Sequence, residues 1–115
     1  MQIQERRLGS VVVIHPQVTQ LNAPVAPEFR KQAGAIVERG DRNLVLDLSG
    51  VEFIDSTALG AIVAILKLVD PVGHLALCCA SETVRAMLEV TRMTRIFPLH
   101  ADVESACAAL TDAVS

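Results

Sequence analysis

The chain has 115 residues, of which 51% are hydrophobic, and this suits one globular domain with a well-filled core rather than a disordered segment. A formal net charge of -3 without a basic run argues against binding to nucleic-acid phosphates, and the absence of Trp and Tyr removes platforms on which single-stranded bases stack. The start of the chain is polar and its longest apolar stretch, at residues 58–69, is short, so we expect no targeting segment, no membrane insertion and a cytoplasmic location.

The first part of the chain is predicted to form a β-hairpin. Two strands are expected at about residues 2–8 and 10–15, and the Gly9-Ser10 pair between them is typical of a tight turn. A loop is then expected between residues 15 and 21, before the first helix of the chain begins.

That first helix is predicted at about residues 22–39. Asn22 is expected to be its N-cap, with Pro24 in the first turn, where a missing N–H group does no harm. Gly40 is expected to end the helix, because glycine readily adopts the left-handed conformation found there. The stripe that this helix is predicted to bury consists of Phe29, Ala33, Ile36 and Val37.

The clearest strand signal is the aliphatic run at residues 44–48, which is typical of a central strand covered on both faces. A second strand end, at residues 49–56, is predicted to lead directly into a helix over residues 56–69. That helix is apolar over much of its circumference, so we expect it to be well buried. The segment at residues 70–73 contains Pro71 and Gly73 and is expected to end it.

A further strand is predicted at residues 74–79, where the adjacent Cys78 and Cys79 are expected to point to opposite faces of the sheet. Cys107 falls on a predicted helix. The cysteines form no Cys-x-x-Cys pair, and the three histidines form no local ligand cluster. We therefore expect reduced cysteines that pack in the interior, and no metal site.

The last third of the chain is predicted to contain two capped helices. Ser81 is expected to cap a helix that runs to about residue 91, and Asp102 to cap the last one. Between them, residues 96–99 are predicted to be extended, and Pro98 is typical of an edge strand. The inner face predicted for the last helix consists of Val103, Ala106, Cys107 and Leu110. Residues 1–115 are thus predicted to form a single α/β domain, with a mixed β-sheet of four to five strands faced by about four helices.

The segment at residues 55–60 carries the candidate functional chemistry. The Ser56 hydroxyl is expected at a helix N-terminus just past the end of a buried strand, and open α/β sheets place their sites at this edge. Free N–H groups and the positive end of the helix dipole favour an anion there, so a phosphoryl group on Ser56 would be tolerated. The alternative interpretation is that Ser56 is only a helix cap and that Asp55 shares this role.

Residues 44–60, with the sequence LVLDLSGVEFIDSTALG, resemble the signature of STAS domains, the family of anti-sigma factor antagonists. The similarity extends over nearly the whole chain. Residues 11–14 resemble the second strand of the family, residues 26–30 the start of its first helix, and residues 88–97 its approach to the last strand. The resemblance implies a STAS-like fold.

The resemblance also implies a partner switch. Members of this type bind an anti-sigma factor that is also a serine kinase, the kinase phosphorylates the antagonist at the position of Ser56, and a PP2C-type phosphatase restores binding. Thr57 is the fallback acceptor. Because the kinase holds the ATP and magnesium, we expect the chain to be no enzyme and to have no cofactor of its own. The partner-binding residues that the resemblance implies are Asn22, Asp55, Ser56, Thr57 and Ala58.

Other functions stay open from the sequence. One is a constitutive STAS binding subunit of a transporter ATPase or of a stress-signalling assembly, because two positions depart from the family pattern. Thr19 stands where an acidic residue is usual, and Ala58 where Gly usually follows the hydroxyl pair. Another is an enzyme with Ser56 as nucleophile, but the sequence has no G-x-S-x-G elbow and no assignable base. A weak homodimer is also left open.

Overall fold

Strands and helices alternate along the chain, and the computed structural model describes residues 1–70 and 72–114. The strands are β1 (Ile3–Leu8), β2 (Val11–Pro16), β3 (Gln20–Leu21), β4 (Asn43–Asp47), β5 (Phe53–Ile54), β6 (His74–Cys78) and β7 (Leu99–His100). The helices are α1 (Ala26–Glu38), α2 (Ser56–Val69), α3 (Glu82–Val90) and α4 (Val103–Val114), and a 3-10 turn lies at Met93–Arg95.

The main sheet follows the order β1-β2-β4-β6-β7. β1 and β2 form the predicted antiparallel hairpin, in which Leu8 pairs with Val11, while β2, β4, β6 and β7 run parallel to one another. Gly9 adopts a φ of 64° in the hairpin turn, a conformation that glycine reaches without steric cost. The predicted mixed sheet faced by helices is therefore confirmed.

The middle strand, β4, is buried on both faces, as its aliphatic run predicts. Leu44 and Leu46 belong to a large apolar core that also includes residues of α1, α2 and α3, whereas Val45 belongs to a smaller core beneath α4. Strand side chains alternate between the two faces, so a strand covered by helices on both sides needs an uninterrupted apolar run. Each such side chain stabilises the fold by roughly 1.5–3 kcal/mol when it is fully buried.

Helix α2 spans the predicted residues and lies in the large core, packed against α1. Its buried side chains are Ala58, Leu59, Ala61, Ile62, Ile65 and Val69. None of the helices within the described residues is both long and apolar enough to cross a bilayer. The burial of α2 fixes the position of its first turn, which begins at Ser56.

A small second sheet was not predicted from the sequence. β3 and β5 pair in parallel, with Gln20 opposite Phe53 and Leu21 opposite Ile54. The carbonyl of Thr19 also accepts hydrogen bonds from the N–H groups of Glu52, at 2.6 Å, and Phe53, at 3.3 Å. The segment that was expected to be a loop is therefore held against the residues that lead into α2.

The predicted N-cap of the first helix is wrong. α1 begins at Ala26, its N-cap residue is Val25 without a side-chain hydrogen bond, and Pro27 rather than Pro24 occupies the first turn. Asn22 instead starts a turn, because its carbonyl accepts hydrogen bonds from the N–H groups of Val25, at 3.1 Å, and Ala26, at 2.9 Å. The end of the helix agrees with prediction, since Gly40 follows it with a φ of 111°.

The placement of the cysteines also differs from prediction. β6 ends at Cys78, and Cys79 adopts a φ of 63°, so it no longer follows the alternation of a strand. The two sulfur atoms lie 3.5 Å apart instead of on opposite faces of the sheet. The last strand lies at residues 99–100 rather than 96–99, at the edge of the sheet, because Pro98 has no N–H to donate and pairs only through its carbonyl, which accepts from Leu77 N at 2.9 Å.

The two predicted helix caps in the last third of the chain are confirmed. The Ser81 hydroxyl accepts a hydrogen bond from Val84 N at 3.2 Å, and Asp102 Oδ1 accepts one from Ser105 N at 2.8 Å. α4 covers the second face of the sheet and buries Ala106 and Leu110 in the smaller core.

Candidate functional site

Asp55, not Ser56, caps helix α2. Asp55 Oδ1 accepts a hydrogen bond from Ala58 N at 2.9 Å, and its Oδ2 accepts one from Ala23 N at 2.7 Å. The carboxylate thus bridges the first turn of α2 and the turn that begins at Asn22. The parallel pairing of β3 with β5 produces this contact, because it places residue 22 level with residue 55. The alternative interpretation of Ser56 as the helix cap is therefore wrong.

Ser56 is the first residue of α2, and its side chain is exposed. Its hydroxyl makes no hydrogen bond to any described residue, since the capping position is taken by Asp55. Thr57 is exposed as well, but it lies toward a depression between α1 and α2, which Arg30 and Lys31 also line. The two hydroxyl groups therefore border different surfaces of the molecule.

An apolar groove of about 780 Å³ lies beside Ser56, between the start of α2 and helix α3. Phe53 is 43% exposed and Val90 is 83% exposed on its walls, and both are large apolar side chains that folding leaves in contact with water. Contiguous exposed apolar surface is typical of a protein-interaction site. The groove is also lined by Ser56, Leu59, Glu82 and Met87.

The sequence model of the STAS domain family matches residues 2–106. The chain belongs to the STAS domain family. A protein from Bordetella bronchiseptica that bears the name anti-sigma factor antagonist BtrV is 32% identical to this STAS domain over 95 residues, which is 82% of each chain. The family resemblance inferred from residues 44–60 is thereby confirmed.

Solved structures agree with this assignment. The crystal structure of a protein from Thermotoga maritima described as an anti-sigma factor antagonist has a TM-score of 0.88 and 30% identity, covering 95% of this STAS domain and 94% of that chain. The Bacillus protein SpoIIAA, solved in unphosphorylated and phosphorylated forms, has a TM-score of 0.70 to this chain at 18% identity, covering 98% of its own length and 94–96% of this STAS domain. At 18% identity, the similarity to SpoIIAA establishes only a shared fold.

The structure brings most of the predicted partner-binding residues together. Asn22, Asp55 and Ser56 lie side by side at the start of α2, and Thr57 follows on the adjoining surface. Ala58 is different, because its side chain is fully buried and presents no surface to a partner. Its expected direct contact with a partner is therefore not supported.

The sequence does not predict the contribution of α3 to this surface. Val90 and Met87 line the groove together with Phe53, although the three residues are far apart in the chain. A signal did exist, because Val90 is an apolar residue on the polar side of an otherwise amphipathic helix. Without the fold, that signal could not be connected to Ser56.

A separate cluster of polar side chains lies on the face of the sheet that α4 covers. It consists of Asp47, Cys78 and Cys79, whose carboxylate and sulfur atoms all lie within 4.8 Å of one another. Burial works to raise the pKa of Asp47, but hydrogen bonds from the hydroxyl and the N–H of Ser49 outweigh it and hold that pKa below its usual value. Burial raises the pKa of the Cys78 thiol well above its usual value. The sequence predicts no such cluster.

Proposed function

We propose that this STAS domain is an anti-sigma factor antagonist that binds an anti-sigma serine kinase through the surface around Ser56 and is released when Ser56 is phosphorylated. The observation that carries the proposal is the position of the Ser56 hydroxyl, exposed and without a described hydrogen bond, at the rim of an apolar groove. The names of the relatives at 30–32% identity support the same function.

The position of Ser56 suits a phosphate acceptor. In the transfer, Ser56 Oγ forms a bond to the γ-phosphorus of ATP held by the kinase, the bond to the β-phosphate oxygen breaks, and ADP leaves, while a base of the kinase takes the hydroxyl proton. The product would stand at the N-terminus of a 14-residue helix, where free N–H groups and the helix dipole stabilise negative charge. The start of α2 can therefore hold the phosphate without unfolding.

A phosphate on Ser56 would act on the groove through charge. It brings about two negative charges to the rim of an apolar surface that a partner must desolvate. Glu82, at the start of α3, lines the same groove and is exposed, so the phosphate would add to an acidic side chain already on the groove wall. A hundredfold loss of affinity corresponds to about 2.7 kcal/mol, and one like-charge or desolvated mismatch across an interface can supply that amount.

The remaining components of the switch lie in other proteins. The proposed kinase supplies ATP and magnesium, and a PP2C-type phosphatase removes the phosphate, so this chain acts as substrate and binding partner rather than as an enzyme. Thr57 is the fallback acceptor in the proposal. It borders the depression near Arg30 and Lys31, away from the groove, and phosphate there would be expected to weaken binding less.

The experiment is a binding and phosphorylation assay with a purified anti-sigma serine kinase. Wild type and Ser56→Ala are expected to bind it alike, Ser56→Asp is expected to bind at least tenfold more weakly, and mass spectrometry after incubation with ATP and magnesium should place phosphate on Ser56. Ser105→Asp is a matched control, since it adds the same charge to the exposed first turn of α4 on the other side of the sheet. Equal binding by all four proteins would favour a constitutive binding subunit instead.

A further inference from the structure

One face of the sheet carries ligand-forming side chains at a single level on neighbouring strands. Asp47 of β4 pairs in register with Cys78 of β6, and Cys78 pairs with His100 of β7. Cys78 belongs to the smaller core beneath α4, and so does Val45, which shares its face with Asp47. The three residues therefore stand side by side at the carboxyl ends of three parallel strands.

Cys79 adds a second sulfur to this row. It follows Cys78 directly, and its Sγ lies 3.5 Å from that of Cys78. Two thiolates at about 2.3 Å and a carboxylate at about 2.1 Å from a tetrahedral zinc ion stand roughly 3.5–3.8 Å from one another. The three ligand atoms already lie within 4.8 Å of each other, so small side-chain rotations would bring them to that spacing.

The backbone of Cys79 gives a second, independent observation. Among the described residues other than glycine, Cys79, with a φ of 63°, and Arg92 adopt the left-handed region. Glycine would occupy that conformation without steric cost, and strained backbone of this kind concentrates at ligand clamps and other functional sites. The strain places the Cys79 sulfur beside Cys78 instead of across the sheet from it.

His100 gives a third observation. Within the described part of the chain, its Nε2 is one of two buried side-chain nitrogen or oxygen atoms without a hydrogen-bond partner, the other being Asn43 Oδ1. A buried polar atom without a partner is costly and needs an explanation. His100 stands next to Cys78 in the register, so a ligand bound to the cluster, or a water on that ligand, could supply the missing partner.

The Asp47 carboxylate has one oxygen that Ser49 does not bind, and a cleft connects the carboxylate to solvent. Asp47 Oδ1 accepts hydrogen bonds from Ser49 N at 2.9 Å and Ser49 Oγ at 2.6 Å, which orients the group and leaves Oδ2 to bind a ligand. A cleft of about 270 Å³ reaches Asp47 from the surface between β1, β2 and β4. His15 and the cationic Arg6 line this cleft.

We propose that Asp47, Cys78 and Cys79 form a binding site for a thiophilic divalent cation, Zn²⁺, with the fourth coordination position beside His100. Two sulfur ligands with one carboxylate select zinc over magnesium or calcium, which prefer oxygen alone. On binding, two Zn–S bonds form, two S–H bonds break and two protons pass to solvent, while Asp47 contributes a carboxylate that is already ionised. The site is separate from Ser56, and neither proposal depends on the other.

The test is a titration of the reduced wild-type chain with Cd²⁺, followed through the ultraviolet charge-transfer absorption of Cd–thiolate bonds, with Zn²⁺ as competitor. One Cd²⁺ per chain, two thiolate bonds and displacement by Zn²⁺ are expected. Cys79→Gly is the most informative variant, because glycine suits the backbone conformation, so the fold should be kept while affinity falls by about 100-fold or more. Asp47→Asn is expected to weaken binding by at least about tenfold.

Cys107→Ser is the matched control, since Cys107, on α4, packs against the smaller core that contains Cys78 but is not one of the proposed ligands. This variant should bind Cd²⁺ like wild type. Circular dichroism of each apo variant verifies that it is folded. Absence of stoichiometric binding to the wild type would overturn the proposal. So would unchanged affinity in Cys79→Gly, or a loss in Cys107→Ser equal to that in Cys79→Gly, and the cluster would then be a set of interior thiols hydrogen-bonded to a carboxylate.

Discussion

Asp55 links the first turn of α2 to the distant turn that begins at Asn22. Its two carboxylate oxygens accept N–H groups from Ala58, in its own helix, and from Ala23, which is 32 residues away. An ionised acceptor forms stronger hydrogen bonds than a neutral one, so both contacts are worth more than an ordinary turn bond. Because Asp55 caps α2 through Ala58 N, the neighbouring Ser56 hydroxyl is not needed as a cap, and it makes no hydrogen bond to a described residue.

Replacing Asp55 with Ala is therefore expected to lower the free energy of unfolding by about 2–3 kcal/mol, of which the lost cap accounts for about 1 kcal/mol. Urea unfolding measures the change. Ser56→Ala is the matched control at the adjacent position and is expected to stay within about 0.5 kcal/mol of wild type. Equal destabilisation by the two substitutions would contradict the assignment of the cap to Asp55.

At the scale of elements, the groove beside Ser56 exists because three segments meet there. β5 contributes Phe53, α2 contributes Ser56 and Leu59, and α3 contributes Met87 and Val90. Only the paired position of β5 and the burial of α2 bring these segments together, so the groove is a property of the fold rather than of any one segment.

A charged side chain in the groove is expected to weaken partner binding while leaving the stability of the fold nearly unchanged. Val90→Lys places a cation on a side chain that is 83% exposed, so stability should change by less than about 0.5 kcal/mol, while affinity for the proposed kinase should fall at least tenfold. Val72→Lys is the matched control, because Val72 is 74% exposed and lies outside the groove. Calorimetric titration of the kinase compares the variants, and an equal loss in both would assign the effect to charge in general instead of to the groove.

The elements that could be predicted are those with a long, consistent pattern. β4 and α2 are predicted correctly because three consecutive aliphatic residues, at positions 44–46, and a 14-residue apolar helix leave few alternatives. β3 and β5 have two residues each, too few for any period, and their pairing depends on a contact over about 30 residues of chain. The predicted Asn22 cap is wrong for the same reason. Asn is locally preferred as an N-cap, but here Asn22 starts a turn that the tertiary contact with Asp55 stabilises.

The candidate site, like the fold, has one part that the sequence predicts and another that it does not. The motif at residues 44–60 located Ser56, because the start of α2 is encoded locally. The groove wall formed by α3 depends on the packing of segments that are distant in the chain. The approach of Cys79 to Cys78 depends on a left-handed backbone conformation that no local pattern indicates. The local motif therefore indicates the proposed phosphate acceptor, but it does not predict the surface around it.

At the scale of the whole molecule, a group of surface charges ties the edge strand to the rest of the domain. Asp41, in the connection between α1 and β4, accepts hydrogen bonds from Arg39 Nε at 2.7 Å and from Arg7 Nη2 of β1 at 2.9 Å. Arg39 also pairs with Glu5 of β1. The hydrogen bond from Arg39, with a further contribution from Arg7, lowers the pKa of Asp41, and the burial of the carboxylate opposes this only in part.

This network predicts a specific loss of stability in acid. Since the pKa of Asp41 is lower in the folded state than in the unfolded chain, where it is about 3.9, its contribution is fully present well above that value and is lost as the pH falls through the folded pKa. Asp41→Asn should thus be less stable than wild type at pH 7, and the difference should shrink between about pH 5 and pH 3. Urea unfolding across this range measures it, with Glu52→Gln as control, because Glu52 is exposed and its side chain makes no hydrogen bond to a described residue. A difference between wild type and Asp41→Asn that stayed constant from pH 7 to pH 3 would show that Asp41 acts through its shape and not through its charge.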